Sequence, residues 1–262
     1  MDYSKLSETI EFTKVSEKEN KGEFVISNLY PGYGLTVGNS FRRVLLSSLQ
    51  GSAITYVKIK GISHEFSTIE GVVEDVIEIT LNLKKVRFSM FSDEPEIVSL
   101  KYKGEGKATA KDIKTSSNIK IINPDQVIAN LSSKTAELDI EFTIEKGLGY
   151  SPADTRKDDK LSVGNIAVDA FFSPVISANY KVDNIRVGDR TDYNKITFEI
   201  ETDGSLSPSE AFSKAGFILK DHFDKITSFL DEPKAKENSK EISDEEESEE
   251  KESKKKSSKK EK

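Results

Sequence analysis

The chain has 262 residues, 35% of them hydrophobic and 32% charged, with a formal net charge of −7, a length suited to one large domain or two modest ones. The absence of cysteine excludes disulfides, thiolate metal sites and cysteine nucleophiles, and the net negative charge argues against a chain that coats nucleic acid through its overall field. No apolar run approaches the length of a membrane span and Met1-Asp2-Tyr3-Ser4-Lys5 opens no signal peptide, so the composition predicts a soluble cytoplasmic protein without a membrane partner.

Thr9–Val15 and Glu23–Leu29 alternate apolar and polar residues, Ile10 and Phe12 in one and Phe24 and Ile26 in the other. This pattern predicts two half-buried strands joined by a turn at Asn20-Lys21-Gly22. After Pro31, the stretch from Gly32 to Leu49 reads as a glycine-punctuated turn leading into a short helix. Asn39 or Thr36 would cap its start, and Gly51 would end it as a left-handed residue. Phe41, Leu45 and Leu49 fall at steps of four, with Val37 one step earlier, and form an apolar stripe that another helix can cover. Arg42 and Arg43 point about 100° apart on a helix, so at most one lies near that stripe and the other is free for a partner.

Ala53–Ile59 is a further strand. From Val72 to Lys85 the helical period returns, with Val72, Val76, Ile79 and Leu83 spaced by four, three and four, and Val73, Ile77 and Leu81 widening the stripe. Val86–Phe91, Ile97–Tyr102, Ile119–Ile122 and Leu138–Ile144 then predict a mostly antiparallel sheet. Gly147–Ala153 reads as a loop, and Ile166–Phe172, Ala178–Val187 and Lys195–Glu201 as strands. The last helix is the best defined: Ser207 caps it, Pro208 takes its first position and Glu210 completes a capping box. Phe212, Ala215, Leu219, Phe223, Ile226 and Leu230 recur along it at three or four residues. The opening helix is its natural partner, and two such wide seams invite dimerisation. Beyond Pro233, residues 234–262 hold 10 Lys and 10 acidic residues in separate blocks and one large apolar residue, Ile242. Such a segment cannot bury enough apolar surface to offset its ordering entropy, which predicts a disordered tail over 233–262.

The search for chemistry returns little. Gly32-x-Gly34-x-x-x-Gly38 superficially follows a dinucleotide-binding turn, but the next strand ends in Ile59-Lys60-Gly61 without the required acid. A phosphate loop would need a Gly-Lys-Ser/Thr ending, also missing. His64 and His222, the two histidines, have no metal-type spacing and read as structural residues. Asp158-Asp159 and Asp244–Glu247 lack a framework to hold carboxylates about an ion, and there is no nucleophile elbow. The expectation is a chain with no catalytic residue, no metal and no cofactor.

Leu35-Thr36-Val37-Gly38-Asn39-Ser40-Phe41-Arg42-Arg43-Val44-Leu45-Leu46-Ser47-Ser48 resembles the signature helix of bacterial RNA polymerase alpha subunits. His64-Glu65-Phe66-Ser67-Thr68-Ile69-Glu70-Gly71, Gly147-Leu148-Gly149-Tyr150, Val168-Asp169-Ala170-Phe171-Phe172-Ser173-Pro174-Val175, Arg190-Thr191-Asp192 and Asp203–Ala211 match later blocks of that family in order. The resemblance spans about residues 5–231. It implies an α+β, two-domain fold: a discontinuous dimerisation domain from 1–51 and 176–232, with a mostly antiparallel β domain, 52–175, inserted. It implies a noncatalytic subunit of DNA-directed RNA polymerase, a homodimer that serves as the assembly platform for the beta and beta-prime subunits. DNA would be met only indirectly, through the holoenzyme, and nucleotide addition would belong to the large subunits. Arg43 would be the main beta contact, with Arg42, Leu46, Glu78 and Lys84 also at large-subunit positions. The dimer interface would comprise Phe41, Leu45 and Leu49 with Phe212, Ala215, Leu219, Phe223, Ile226 and Leu230. The chain departs from the family at its end, where no apolar helical pattern follows Leu230 and the small DNA-binding domain of most members is not expected.

Overall fold

The computed structural model describes residues 9–156 and 164–231, the side chains of 230 and 231 excepted. Asp158-Asp159 and the charged tail therefore lie outside the described residues. The chain divides into two compact units, Met1–Gly216 and Phe217–Lys262.

In the first unit, β1 (Glu11–Lys18) and β2 (Lys21–Leu29) come from the start of the chain, and β14 (Val175–Val187) and β15 (Arg190–Thr202) from near its end. They form one four-stranded antiparallel sheet in the order β1-β2-β15-β14. β2 is buried at Phe24, Val25, Ile26 and Leu29, and β15 at Ile196, Phe198 and Ile200, whereas β1 is an edge. The expectation that β1 is half-buried is corrected: Phe12 and Val15 are more than half exposed, and a bulge between Lys14 and Ser16 turns Val15 outward. Bulges and charges of this kind discourage further strand pairing at a sheet edge.

Helix α1 (Tyr33–Ser47) lies against β14 and β15. It begins earlier than its capping residues predicted, so Thr36 and Asn39 are inside it, and Gly32 takes the cap position at φ 88°. It also ends earlier. Gly51 belongs to the next strand, β3 (Gln50–Ile59), and is not left-handed. Its missing side chain serves a different purpose, because a Cβ there would collide with the Phe172 carbonyl oxygen.

The second sheet runs β7-β5-β10-β3-β4-β8, with β12 also paired to β3. Its strands are β3 (Gln50–Ile59), β4 (Phe88–Met90), β5 (Glu96–Lys103), β7 (Ile113–Lys114), β8 (Ile119–Ile121), β10 (Glu137–Leu148) and β12 (Asn165–Ala167). Two smaller pairs join β6 (Gly106–Thr109) to β9 (Val127–Leu131) and β11 (Tyr150–Ser151) to β13 (Ala170–Phe171). Every pairing is antiparallel. β10 buries Leu138, Ile140, Phe142 and Ile144 at alternate positions, the period of two that puts one face of a strand on a core. The predicted strand Ile166–Phe172 is broken, because Asp169 turns out of the ladder to accept a hydrogen bond from the Ala153 amide at 2.9 Å.

Helix α2 (Val76–Leu83) closes that core with Val76, Ile79 and Leu83. It starts four residues later than predicted. Val72 bridges to Leu131 and the Val73 amide donates to Asn130 O at 2.9 Å, so the entry is extended backbone. The Asp75 carboxylate then accepts from the Glu78 amide at 2.7 Å and caps the helix.

Helix α3 (Pro208–Asp231) carries the predicted capping box: the Ser207 amide donates to Glu210 and the Glu210 amide to Ser207 Oγ. Its first part buries Ala211, Phe212 and Ala215. Phe212 stacks on Phe41 of α1 with ring centroids 4.7 Å apart and on Phe24 of β2 at 5.3 Å. No helix among the described residues is long and apolar enough to cross a membrane.

Candidate subunit-docking surface

Two arginines of the same helix have different surroundings. Arg42 Nε donates to the Ala178 carbonyl of β14 at 3.1 Å. Arg43 is exposed and has no side-chain partner among the described residues. The positions that touch the sheet follow a step of four: Gly34, Gly38 and Arg42. A Cβ at Gly34 would stand 2.7 Å from Val182, and one at Gly38 2.6 Å from the Tyr180 ring. That stripe is seated, and Arg43, one residue on, is turned off it. A guanidinium without a partner keeps its fork of donors for a carboxylate or a carbonyl brought by another molecule. Leu46 is half-buried, and its carbonyl accepts from Ser173 Oγ at 3.4 Å.

Around α2 a groove of about 600 Å³ is lined by His64, Phe66, Ile77, Leu81, Lys84 and Asp169 among others. Val73, Ile77 and Leu81 do not widen the buried stripe as predicted. They are exposed, as is Phe66 at 78%, and Phe66, Ile77 and Leu81 make an apolar rim of the groove. Lys84 Nζ lies 3.4 Å from Asp169 Oδ2. The Asp169 carboxyl is held below its ordinary range, first by the Ala153 amide and then by the Lys84 charge against an opposing desolvation. Glu78 is exposed six residues before Lys84, with no side-chain partner among the described residues. His64 Nδ1 lies 3.0 Å from Ser67 Oγ and His222 Nδ1 2.7 Å from the Ile218 carbonyl, both local contacts.

The residues expected at a dimer interface fall into two groups. Leu45, Leu49, Phe212 and Ala215 are buried in the chain's own core, and Phe41 is half-buried on Phe212. In the second unit Leu219 is half-buried while Phe223 and Ile226 are 61% and 57% exposed. The side chain of Leu230 lies outside the described residues.

Three positions received no role from the sequence. Asn194 of β15 accepts from the amides of Gly32 and Gly34 at the start of α1. Arg156 stacks over Tyr56 and donates to the carbonyls of Thr55, Ser151 and Val168, tying β12 and its neighbours together. Asp169 joins α2 to the Ala153 turn. Each acts on backbone groups distant in sequence, so no local pattern marks it.

Residues 57–173 match the family model described as the RNA polymerase Rpb3/RpoA insert domain. The chain is 46% identical over 236 residues to a DNA-directed RNA polymerase subunit alpha of Symbiobacterium thermophilum, covering 90% of this chain and 75% of that protein. It is 51% identical over 201 residues to the one from Moorella thermoacetica, with 77% and 64% covered. It is 44% identical over 228 residues to the one from Oceanobacillus iheyensis, with 87% and 72% covered.

Proposed function

Because this chain belongs to the family of DNA-directed RNA polymerase alpha subunits, a nucleotidyltransferase complex of transcription, we propose that it is the noncatalytic subunit on which the large subunits assemble. Arg43 is the main contact to the beta subunit, and Leu46, Glu78 and Lys84 contribute further large-subunit contacts. Two copies pair through α3. The division of labour between domains follows the strand order: β1, β2, β14 from its second residue, β15, α1 and α3, within 1–51 and 176–232, form the dimerisation domain, and 52–175 is inserted into it.

The observation that carries the reading is the contrast within α1, where both arginines are exposed but Arg42 is bonded to the Ala178 carbonyl and Arg43 has no side-chain partner among the described residues. An exposed arginine on a rigid, close-packed helix is a common form of binding anchor. Co-expression with the beta subunit tests it. The wild-type chain is expected to be captured as a dimer with beta, and Arg43→Ala to lose beta while remaining a dimer on size exclusion. Retained capture by Arg43→Ala removes the assignment.

A further inference from the structure

Helix α1 has no capping side chain of its own, since Gly32 stands at its N-cap. The first amides of a helix have no partner within it, and the Gly34 amide is buried. The acceptor comes from 160 residues later in the chain. Asn194 Oδ1 takes the Gly32 N–H at 3.0 Å and the Gly34 N–H at 3.2 Å. Its Nδ2 donates to Asn184 Oδ1 of β14 at 3.0 Å, and the residue is 8% exposed. The helix backbone rests directly on this strand, for a Cβ at Gly34 would lie 2.9 Å from that of Asn194. Two turns further along the same stripe, Arg42 Nε bonds the Ala178 carbonyl. A helix fixed at two points along one stripe can neither slide nor rotate, and its other side chains have set directions.

We propose that Asn194 is a positioning residue for the Arg43 contact: by capping α1 from the adjacent strand it fixes the helix's axial position and rotation, with Arg42 as the second strut. The inference rests on the reading of Arg43 as the large-subunit contact. Without the cap, the buried Gly34 amide is left unpaired and the first turn loosens. Arg43 then spreads over more orientations, and the ordering it lacks is subtracted from the affinity of docking.

The test uses the full chain co-expressed with the beta subunit, comparing Asn194→Ala, Asn194→Asp, Arg43→Ala and the Asn194→Ala/Arg43→Ala double variant. Asn194→Ala is expected to weaken beta capture about fivefold to tenfold, as loss of a helix cap implies. It should also speed amide exchange at Gly34 while leaving β10 amides unchanged. Asn194→Asp keeps the acceptor, and Asn184 can rotate its amide to donate to it, so capture and Gly34 protection should return to within about twofold of wild type. The double variant should be no weaker than Arg43→Ala alone. Unchanged capture by Asn194→Ala beside lost capture by Arg43→Ala overturns the inference and leaves the Arg43 reading standing. An undiminished Asn194→Ala effect in the Arg43→Ala background overturns it as well. Unchanged capture by Arg43→Ala defeats the reading itself. Should Asn194→Ala not fold, a folded Asn194→Asp that keeps Gly34 protected yet loses beta is the overturning result.

Discussion

Single residues in this chain do their work through backbone groups far away in sequence. Gly51 is the sharpest case. The sequence marks it as a helix end, but a methyl group there would meet the Phe172 carbonyl, which is backbone and cannot swing aside. Gly51→Ala is therefore expected to cost about 1–3 kcal/mol or more of unfolding free energy, read by urea denaturation. Glu17 is a second case, and nothing in its local sequence announces it. Its carboxylate accepts from Lys14 at 2.8 Å, and from the Ser209 amide and hydroxyl at 3.0 and 2.6 Å, so that edge strand β1 holds the first turn of α3. Lys14 first, then Ser209, lower its pKa from 4.5 to about 2. A carboxyl depressed on folding adds stability that is full above its unfolded pKa and fades as pH falls through the folded one. Wild type should thus lose this contribution between about pH 4.5 and pH 2. Glu17→Gln should be less stable at pH 7, by roughly 1–3 kcal/mol for charge-assisted bonds, and show a flatter stability–pH curve across that window.

At the scale of elements, α2 shows how far periodicity reaches. The three-and-four spacing of Val76, Ile79 and Leu83 was legible, and all three are buried. The start was misplaced because Val72 and Val73 form backbone bonds to residues near 130, which no window around α2 contains. Leu81 and Leu83 are both leucines in this helix, yet Leu81 is half exposed and Leu83 is 1% exposed. Leu83→Ala is expected to cost about 2–5 kcal/mol, and Leu81→Ala to stay near 0.5 kcal/mol, measured side by side in denaturant. Asp75→Ala should cost about 1 kcal/mol through loss of its cap. On α3 the capping box was read correctly, because a capping box is contained within four consecutive residues.

At the scale of the whole molecule, the second unit carries an apolar surface on one helix, where Phe217, Phe223, Ile226 and Phe229 are 57–80% exposed. Surface of that kind on one helix marks an interaction site, and the proposed occupant is a second copy. Ile226→Asp is expected to shift the protein from dimer to monomer in sedimentation at micromolar concentration without altering the melting of the sheets. The amino-acid sequence by itself determined the antiparallel β content, the apolar seams of the three α-helices among the described residues and the long family motifs. These depend on spacing along the chain, and spacing is what a sequence displays. Only the tertiary structure decided that Arg42 is bonded to a strand while Arg43 has no side-chain partner among the described residues, that Asn194 caps a helix 160 residues before it, and that Leu45 and Leu49 serve the chain's own core. Periodicity tells which face of a helix is apolar, whereas the group lying across from that face is set by chain segments distant in sequence.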